Sequence, residues 1–542
     1  MSESKAQEFV PEQAQTNHRW WVLVAVCFGL FMSLLDVTIV NVALPVIQHD
    51  LKASFSSIEW VISAYTLVFA VVLVTASRLG DIYGRKTMFT IGLSIFTIGS
   101  LFCGLSSHFT LFGLSHIQTL NVFRGVQGLG GSAMMPLSLA IISSVFTGKQ
   151  RGIAIGIWGG ISGLATAIGP LIGGFLVDTF SWQSIFYLNV PIGILGAALS
   201  LWAIPQSRDE EAAGKIDWFG LITFTVFMFC TVYGLIRVNE YGIGWTSPLI
   251  IWLGIIAVVS LTAFIIGEWR IENPMIDPRL FKVPSFTGAG IAGFCLSAGM
   301  YALLLYISIY FQNILGYDAF QAGLRLLPFC VLSLLLGPVA GALMGKIQPK
   351  WLTVSGLLLL GIGVWTMGGI SANDKPVDWV ILLPGLMIAG FGNGLVNPPI
   401  SNLAVGTVAR HRAGMASGAS GVLRQMGISF GTAIFGAILS SRYNAVLTEK
   451  VSKLHGPAYL TSGIKQQISY DLEKAGPLAG STGFNGVVPA SYKQNPLFSP
   501  LQHIGQSAFM SGTVTVIHIA SIILLVGAVC SLFLIRQKDM KH

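Results

Sequence analysis

Residues 21–45 read WVLVAVCFGLFMSLLDVTIVNVALP: an apolar run broken by one acid, Asp36, with Ser33, Thr38 and Asn41 nearby. As a helix this run rises about 37 Å, enough to cross the ~30 Å hydrocarbon core of a bilayer. A carboxylate inside such a span costs a few kcal/mol even on lenient insertion scales, so Asp36 needs a partner or a purpose. The rest of the chain agrees with a membrane reading. Of 542 residues, 53% are apolar and only 10% charged, with a mean hydropathy of +0.72. Soluble domains carry about a quarter of their residues as charged types, which excludes a soluble enzyme; the high apolar content excludes disorder. The net charge of +8 is spread thinly and forms no basic stripe, so it reads as membrane topology, and no nucleic-acid partner is expected.

Fourteen runs are long and apolar enough to span: 21–45, 57–79, 87–106, 116–145, 152–178, 184–205, 217–238, 248–268, 285–313, 320–344, 352–371, 379–405, 414–441 and 509–535. An even number places both termini on one side. The connections on that side, with the termini, hold nineteen basic residues (Lys5, Arg19, Arg78, Arg85, Lys86, Lys149, Arg151, Arg208, Lys215, Arg270, Arg279, Lys282, Lys346, Lys350, Arg410, Arg412, Arg536, Lys538 and Lys541), against Lys52 and Lys375 in the short loops opposite. The positive-inside bias therefore makes the termini cytoplasmic. The long outer segment 443–508 is polar, with an amphipathic stretch at 444–475, and reads either as a small external cap or as a tethered loop. The six cysteines lie inside apolar runs without Cys-x-x-Cys spacing, so neither a metal site nor a disulfide framework is expected. The first apolar run is too long for a signal-peptide core and has no small-x-small cleavage site.

A shift of 262 residues lays Gly128 on Gly390, Gly130 on Gly392, Pro136 on Pro398, Gly152 on Gly414, Gly156 on Gly418, Gly159 on Gly421, Gly169 on Gly431 and Gly174 on Gly436. Chance would give about two such matches, so the chain is read as a duplication. Six spans need ~200 residues, and the surplus of ~60 makes two more. The expected architecture is an all-α integral membrane protein: a tail at 1–20, a six-helix bundle at 21–205, a two-helix insert with its flanks at 206–284, a second six-helix bundle at 285–535 containing the external segment, and a tail at 536–542. Two six-helix halves related about the membrane normal describe the major facilitator type of transporter, with its site between the halves. No phosphate-binding loop is present, so a proton gradient rather than ATP or another cofactor is expected to drive it.

Several constellations carry chemistry. Asp36 lies ~22 Å up the first helix and Arg124 ~12 Å below the outer face, similar depths in the outer half. They form either a static ion pair or a proton carrier whose affinity changes as the pair separates. Arg78-Leu-Gly80-Asp81-Ile-Tyr-Gly84-Arg85-Lys86, with Arg151 nearby on the same side, reads as a cytoplasmic latch beyond simple charge bias. Its counterpart, Gly345 through Lys350, lacks the acid. In the fifth span Gly163, Gly169, Pro170, Gly173 and Gly174 allow close packing, and either that alone or a hinge or seal accounts for them.

These blocks resemble the fourteen-helix drug:proton antiporter-2 branch of the major facilitator superfamily, the EmrB/QacA type. The resemblance covers all fourteen spans. It is carried by Asp36-x-Thr38-Ile-Val-Asn41-Val-Ala-Leu44-Pro45, by Trp60 with Tyr65 and by the Gly80–Lys86 turn, then by Arg124-x-x-Gln127-Gly128-x-Gly130, Gly169-Pro170-x-x-Gly173-Gly174 and Phe186-Tyr-x-Asn189-x-Pro191-x-Gly193. It implies proton coupling at Asp36 and Arg124, a cytoplasmic gate at Asp81 and Arg85, and export rather than import. The chain departs from the pattern at Ala165 (usually Gly), Gln183 (usually Arg) and Glu59 (commonly Gln), and carries extra residues near 108–116; Glu59 adds a second titratable candidate at the outer mouth.

Candidate cavity residues are Asn41, Tyr65, Gln127, Tyr301, Tyr306, Tyr310, Asn393, Asn397 and Arg424; Asn402 and Phe311 stand beside them and Arg325 is a shallower buried charge. With several cations and one deep acid, neutral or weakly acidic amphiphiles are expected to be handled at least as well as permanent dications. The whole is read as a proton-driven exporter of lipophilic compounds in the cell membrane, monomeric, with the bilayer, protons and small substrates as partners and a periplasmic adaptor left open. The rivals are a proton-coupled importer on the same fold, and a membrane-embedded enzyme or scaffold. An enzyme would want a His/Asp cluster, whereas the nine histidines are dispersed.

Overall fold

The computed structural model describes residues 12–146, 148–208, 217–238, 243–272, 274–407, 413–454, 462–484, 498–536 and 539; the side chains of some helical residues, Arg151 and Gly163 among them, lie outside the described set. All regular structure among the described residues is helical. The first half comprises α1 (Glu12–Leu51), α2 (Phe55–Tyr83), α3 (Arg85–Leu105), α4 (His116–Val145), α5 (Gly148–Thr179), and a sixth rod made of α6 (Ser184–Tyr187) and α7 (Asn189–Ala203). The insert is α8 (Trp218–Arg237) and α9 (Pro248–Arg270). The second half begins with a rod built from α10 (Pro284–Leu296), a π-helical turn Ser297–Tyr301, α11 (Leu303–Ile309) and a second π-helical turn Tyr310–Ile314. It continues with α12 (Ala319–Leu343), α13 (Pro349–Thr366), α14 (Leu383–Gly406), α15 (Ala413–Ser452), α16 (Ser462–Ser481) and α17 (Phe498–Leu534).

Helix therefore lies over each of the fourteen runs. Twelve described helical stretches are long and apolar enough to cross a bilayer; Ser57–Leu73 and Thr75–Tyr83, meeting at 47°, make a thirteenth, and in α5 the stretch Ile168–Thr179 is apolar but shorter. Local chemistry sets the ends. Ser115 and Gln118 form a reciprocal capping box at α4, and the Asp217 and Asp318 carboxylates cap α8 and α12 through Gly220 N (2.7 Å) and Gln321 N (2.6 Å). At Gly84, between α2 and α3, φ is +106°, a conformation that a side chain would strain.

The duplication is visible in the packing. Gly128 of α4 lies against the Tyr65 carbonyl of α2, and Gly390 of α14 against the Phe329 carbonyl of α12. Gly130 meets Gly92 and Phe96 of α3 as Gly392 meets Gly356 and Leu360 of α13. In each case the missing Cβ lets two backbones touch, the small-residue packing that holds helices together where lipid offers no hydrophobic drive. The repeat thus fixes the contacts α2–α4–α3 and α12–α14–α13 alike.

The two halves meet along two lines, α5 on α12 and α2 on α15. We call the end away from the basic loops outer. There Gly323 of α12 is pressed on the Pro170 carbonyl, and Gly174 of α5 on Ala319 and Phe320. Five turns further in, on the same face of α12 and about 27 Å away, Gly341 has no neighbour within 4 Å among the described residues. The halves therefore touch at the outer end. The insert lies to one side, with α8 against α2 and α15 and α9 largely exposed.

The described parts of 443–508 are packed. The outer end of α15 continues to Ser452 and folds against α16 and α17; Tyr443, Leu447 and Val451 share a buried cluster with Leu472, Leu478 and Phe484, and Gly480 seats on the Tyr443 ring.

Candidate functional site

Asp36 is completely buried, and so are the groups around it. Arg124 of α4 donates through Nη1 to its Oδ2; Gln127, one turn on, donates through Nε2 to its Oδ1 at 2.7 Å; and Asn189, at the start of α7, donates to Oδ1 at 3.4 Å. The same Arg124 nitrogen also donates to Gln127 Oε1 (2.7 Å), and Ser100 of α3 accepts from both Gln127 (3.1 Å) and Asn189 (3.0 Å). Four helical rods thus send one polar group each, or more, to a single point. This is the donor set of an ionised carboxylate, and the guanidinium stays charged at any ordinary pH. A buried pair of this kind survives only when its remaining hydrogen-bonding capacity is met, and here it largely is.

The guanidinium does two further things. Its Nε donates to the Val61 carbonyl of α2 at 2.9 Å, so one side chain joins the Asp36 carboxylate to the backbone of a helix that faces the other half. Its carbon also lies 4.6 Å from the centroid of the Tyr65 ring, whose hydroxyl is within 3.0 Å of Ser33 Oγ. A cation over an aromatic face is stabilised most strongly in a dry site. Gln127 and Tyr65, expected along a cavity, thus stand inside the Asp36 cluster. Asn189 and Ser100 were not among the expected site residues; Asn189 stood within a quoted motif, whereas Ser100 carried no signal.

One turn along α1, Thr38 and Ile39 receive α5. Gly169 sits on Thr38 and Gly173 on Ile39, while Gly174 turns to α12. The glycine motif is therefore a three-helix junction beside the acid. Asn41 is buried, and its Oδ1 finds no partner among the described residues.

At the inner end Arg85 closes on Asp81 Oδ1 through Nε (3.1 Å) and Nη2 (2.9 Å), and Lys86 donates to the Leu201 carbonyl at 2.7 Å. Gln206 packs over Gly84, while Gly80 receives the Leu137 side chain. Glu59 is buried at the outer end of α2, within electrostatic reach of Tyr306, whose hydroxyl donates to the Thr432 carbonyl at 3.2 Å. Tyr301 lies in the first π turn, and Tyr310, in the second, donates to Asp374 at 2.7 Å. In the second half, Arg424 donates to Asn397 Oδ1; Asn397 donates to Asn393, and Asn393 to Ser333 Oγ at 2.6 Å. Arg325 stacks 3.5 Å from the Tyr317 ring centroid. Among the described residues no three His, Cys, Asp or Glu side chains gather as a metal site would require.

Known proteins share this architecture. The chain is 37% identical over 427 residues to the multidrug resistance protein Stp of Mycobacterium tuberculosis, covering 78% of this chain and 76% of that one. It is 30% identical over 533 residues to the multidrug transporter protein MdtP of Bacillus subtilis, covering 96% and 94%. Among solved structures, a bacterial homologue of the human lysosomal transporter Spinster, crystallised inward-facing and unoccupied, matches the fold with a TM-score of 0.56 at 16% identity, over 97% of this chain and 99% of that one. The family model of the Major Facilitator Superfamily matches residues 26–432, spanning the Asp36 cluster, the insert and the second half as far as α15. The chain belongs to the Major Facilitator Superfamily: it is a multi-span membrane transporter, not an enzyme.

Proposed function

We propose that this transporter is a proton-driven antiporter that exports lipophilic and amphiphilic compounds by alternating access, with fourteen spans, both termini in the cytoplasm and the outer end facing away from the cell. The observation that carries the reading is the shared guanidinium: Arg124 holds the Asp36 carboxylate with one nitrogen and the α2 backbone at Val61 with another. A proton arriving on Asp36 weakens the first contact and frees the guanidinium to move, and α2 with it. Because α2 packs on α15, protonation is felt at the boundary between the halves. The glycine junction of α5 presses on α1 two and three residues beyond Asp36, so the same motion reaches the outer contact between α5 and α12. Contact between the halves at their outer ends belongs to one of the two arrangements that such a cycle needs.

The cycle runs as follows. With the outer ends apart, Asp36 takes a proton from outside as substrate leaves. After the switch it releases the proton inward, re-forms its pair with Arg124, and substrate enters. One proton moving down 100 mV contributes about 2.3 kcal/mol. The names of the Stp and MdtP relatives support drugs as the cargo, and the Gly169–Gly174 motif supports export.

The test is pH-gradient-driven efflux in reconstituted vesicles, wild type against Asp36→Asn. Wild type should accumulate substrate against its gradient and the variant should only equilibrate it; a variant that still accumulates substrate rejects the coupling role. In everted vesicles acidified within, uptake supports export, and its absence with uptake in right-side-out vesicles supports the importer.

A further inference from the structure

We infer that the exported compound is an anion, a hydrophobic ring system bearing a carboxylate, sulfonate or phenolate, and that Arg424 is the group that binds its charge. The inference rests on the export reading above and names the substrate class of that transport path.

Arg424 stands eleven residues into α15, about 17 Å from its inner end and so near the middle of the span. Its position around the helix is fixed by its neighbours. Phe430, which meets the Phe227 ring of α8 on the insert side, lies about 120° away. Gly421, three residues earlier, packs on Leu73 of α2, and the Arg424 stem lies on Gly293 of α10, where an added Cβ would come within 3.0 Å of Cγ. Arg424 therefore points into the bundle, toward α10 and α14, and not to the insert.

The guanidinium is held from one side by amides. Asn397 Oδ1 accepts from Nη2; Asn397 donates to Asn393 O (3.0 Å) and Oδ1 (3.1 Å); Asn393 donates to Ser333. This chain crosses from α15 through α14 to α12 and orients the planar fork without neutralising it. The ion pairs resolved among the described residues join Arg85 to Asp81, Arg124 to Asp36 and Lys453 to Glu449, and none involves Arg424. Asp36 is taken by Arg124, and Glu59 lies with Tyr306 at the level of Thr432, about 12 Å further out. A mid-span cation without a counter-charge is costly. An oriented, half-buried fork is the geometry that binds a carboxylate or sulfonate in two parallel hydrogen bonds, and a substrate anion offsets the cost that the protein leaves open.

The charge balance has a measurable consequence. One proton entering as one monoanion leaves moves two positive charges inward per cycle. A neutral substrate moves one charge and a monocation none. The accumulation ratio of an anion should change tenfold for every ~30 mV of membrane potential, and that of a neutral substrate tenfold for every ~59 mV.

The test uses proteoliposomes with a fixed pH gradient and a potassium diffusion potential. Its probes are 8-anilinonaphthalene-1-sulfonate, its uncharged relative N-phenyl-1-naphthylamine, and ethidium. The wild type should transport the sulfonate at least tenfold more efficiently, as kcat/KM, than ethidium, with the two-charge voltage slope. Arg424→Gln should reduce sulfonate transport at least tenfold and neutral-amine transport by clearly less, with folding shown by an unchanged unfolding temperature in detergent; Arg424→Lys should retain part of the sulfonate transport. Equal losses for sulfonate and amine, a preference for ethidium, or a one-charge slope for the sulfonate overturn the anion assignment while leaving proton-driven export standing. If none of the three probes moves with the pH gradient, export and substrate class fall together.

Discussion

Gln312, in the second π turn of the C-terminal half, donates through Nε2 to the backbone carbonyl of Val42 in α1 at 3.1 Å. Val42 lies in the turn before Pro45, which supplies no N–H to α1 and crowds the Asn41 carbonyl four residues back. The bond therefore joins the halves at their outer end, six residues beyond Asp36. One such bond is worth about 0.5–1.5 kcal/mol, and its loss should shift the equilibrium toward outer opening by about 2- to 13-fold. Gln312→Leu keeps the bulk and removes the donor. Spin labels on the outer ends of α1 and α12 should show a larger separated population in this variant; an unchanged distribution would mean that the bond holds nothing.

Gly173 and Gly174 are adjacent yet should fail differently. An alanine Cβ at Gly173 meets Ile39 Cγ1 at 2.8 Å and its carbonyl at 2.9 Å, a clash within the first half; at Gly174 it meets the backbone of Ala319 and Phe320 in the second. Gly173→Ala should lower the unfolding temperature in detergent with little change in the conformational equilibrium. Gly174→Ala should favour separated outer ends, read as faster modification of a cysteine placed at the α5–α12 contact. Equal behaviour of the two would contradict the junction described here.

The Asp36 cluster also has a stability signature. Gln127 serves Arg124 and Asp36 together, so Gln127→Met, close in shape, leaves both with an unmet hydrogen bond, at about 1–3 kcal/mol. Asp36→Leu strands a buried guanidinium and should cost more, about 3–5 kcal/mol. Arg124→Met together with Asp36→Leu should recover much of that loss, since removing both charges is far less harmful than removing one. Chemical unfolding of the purified protein in detergent gives the order of the variants. A double variant less stable than either single one would show that the pair holds the bundle together by net attraction.

Much of this was legible in the chain. Asp36 and Arg124 were placed at matching depth by counting 1.5 Å per residue, because an α-helix in lipid leaves the chain little freedom but to rise. The glycine register revealed the duplication because backbone contacts need glycine in both copies, as Gly128 and Gly390 show. What stayed hidden depended on direction rather than depth. Gln127 reads as a cavity residue because sequence gives its level and not the face on which the Asp36 cluster closes. Ser100 is one serine among many, and only the approach of α7 to α3 gives it a role. The π turns insert a residue without changing composition, so the aim of Gln312 and Asn313 had no signature in the sequence. The external segment was open between cap and loop, since polar helices declare no packing partner until Tyr443 meets Gly480.

Cross-linking can test whether that cap travels with the C-terminal half. Asn313 of the second π turn donates to Ser481 Oγ at the end of α16 at 2.7 Å, and both belong to the C-terminal half. Across the boundary, a Cβ on Gly421 of α15 would lie 3.8 Å from Leu73 Cγ of α2. Both pairs are close enough for a disulfide or a short bifunctional reagent. The six native cysteines are unpaired, and all but the part-exposed Cys530 are buried, so replacing that one leaves a quiet background. Asn313→Cys with Ser481→Cys should cross-link and leave export within about twofold of its reduced form, because the bond ties together parts that travel together. Leu73→Cys with Gly421→Cys should cross-link and stop export by at least tenfold, with recovery on reduction, because α2 and α15 must slide past each other for the halves to rock. The discriminating result is the first pair: arrest there would make the cap a moving lid whose position relative to the π turn changes in every cycle, whereas free transport makes it a fixed rim around the exit.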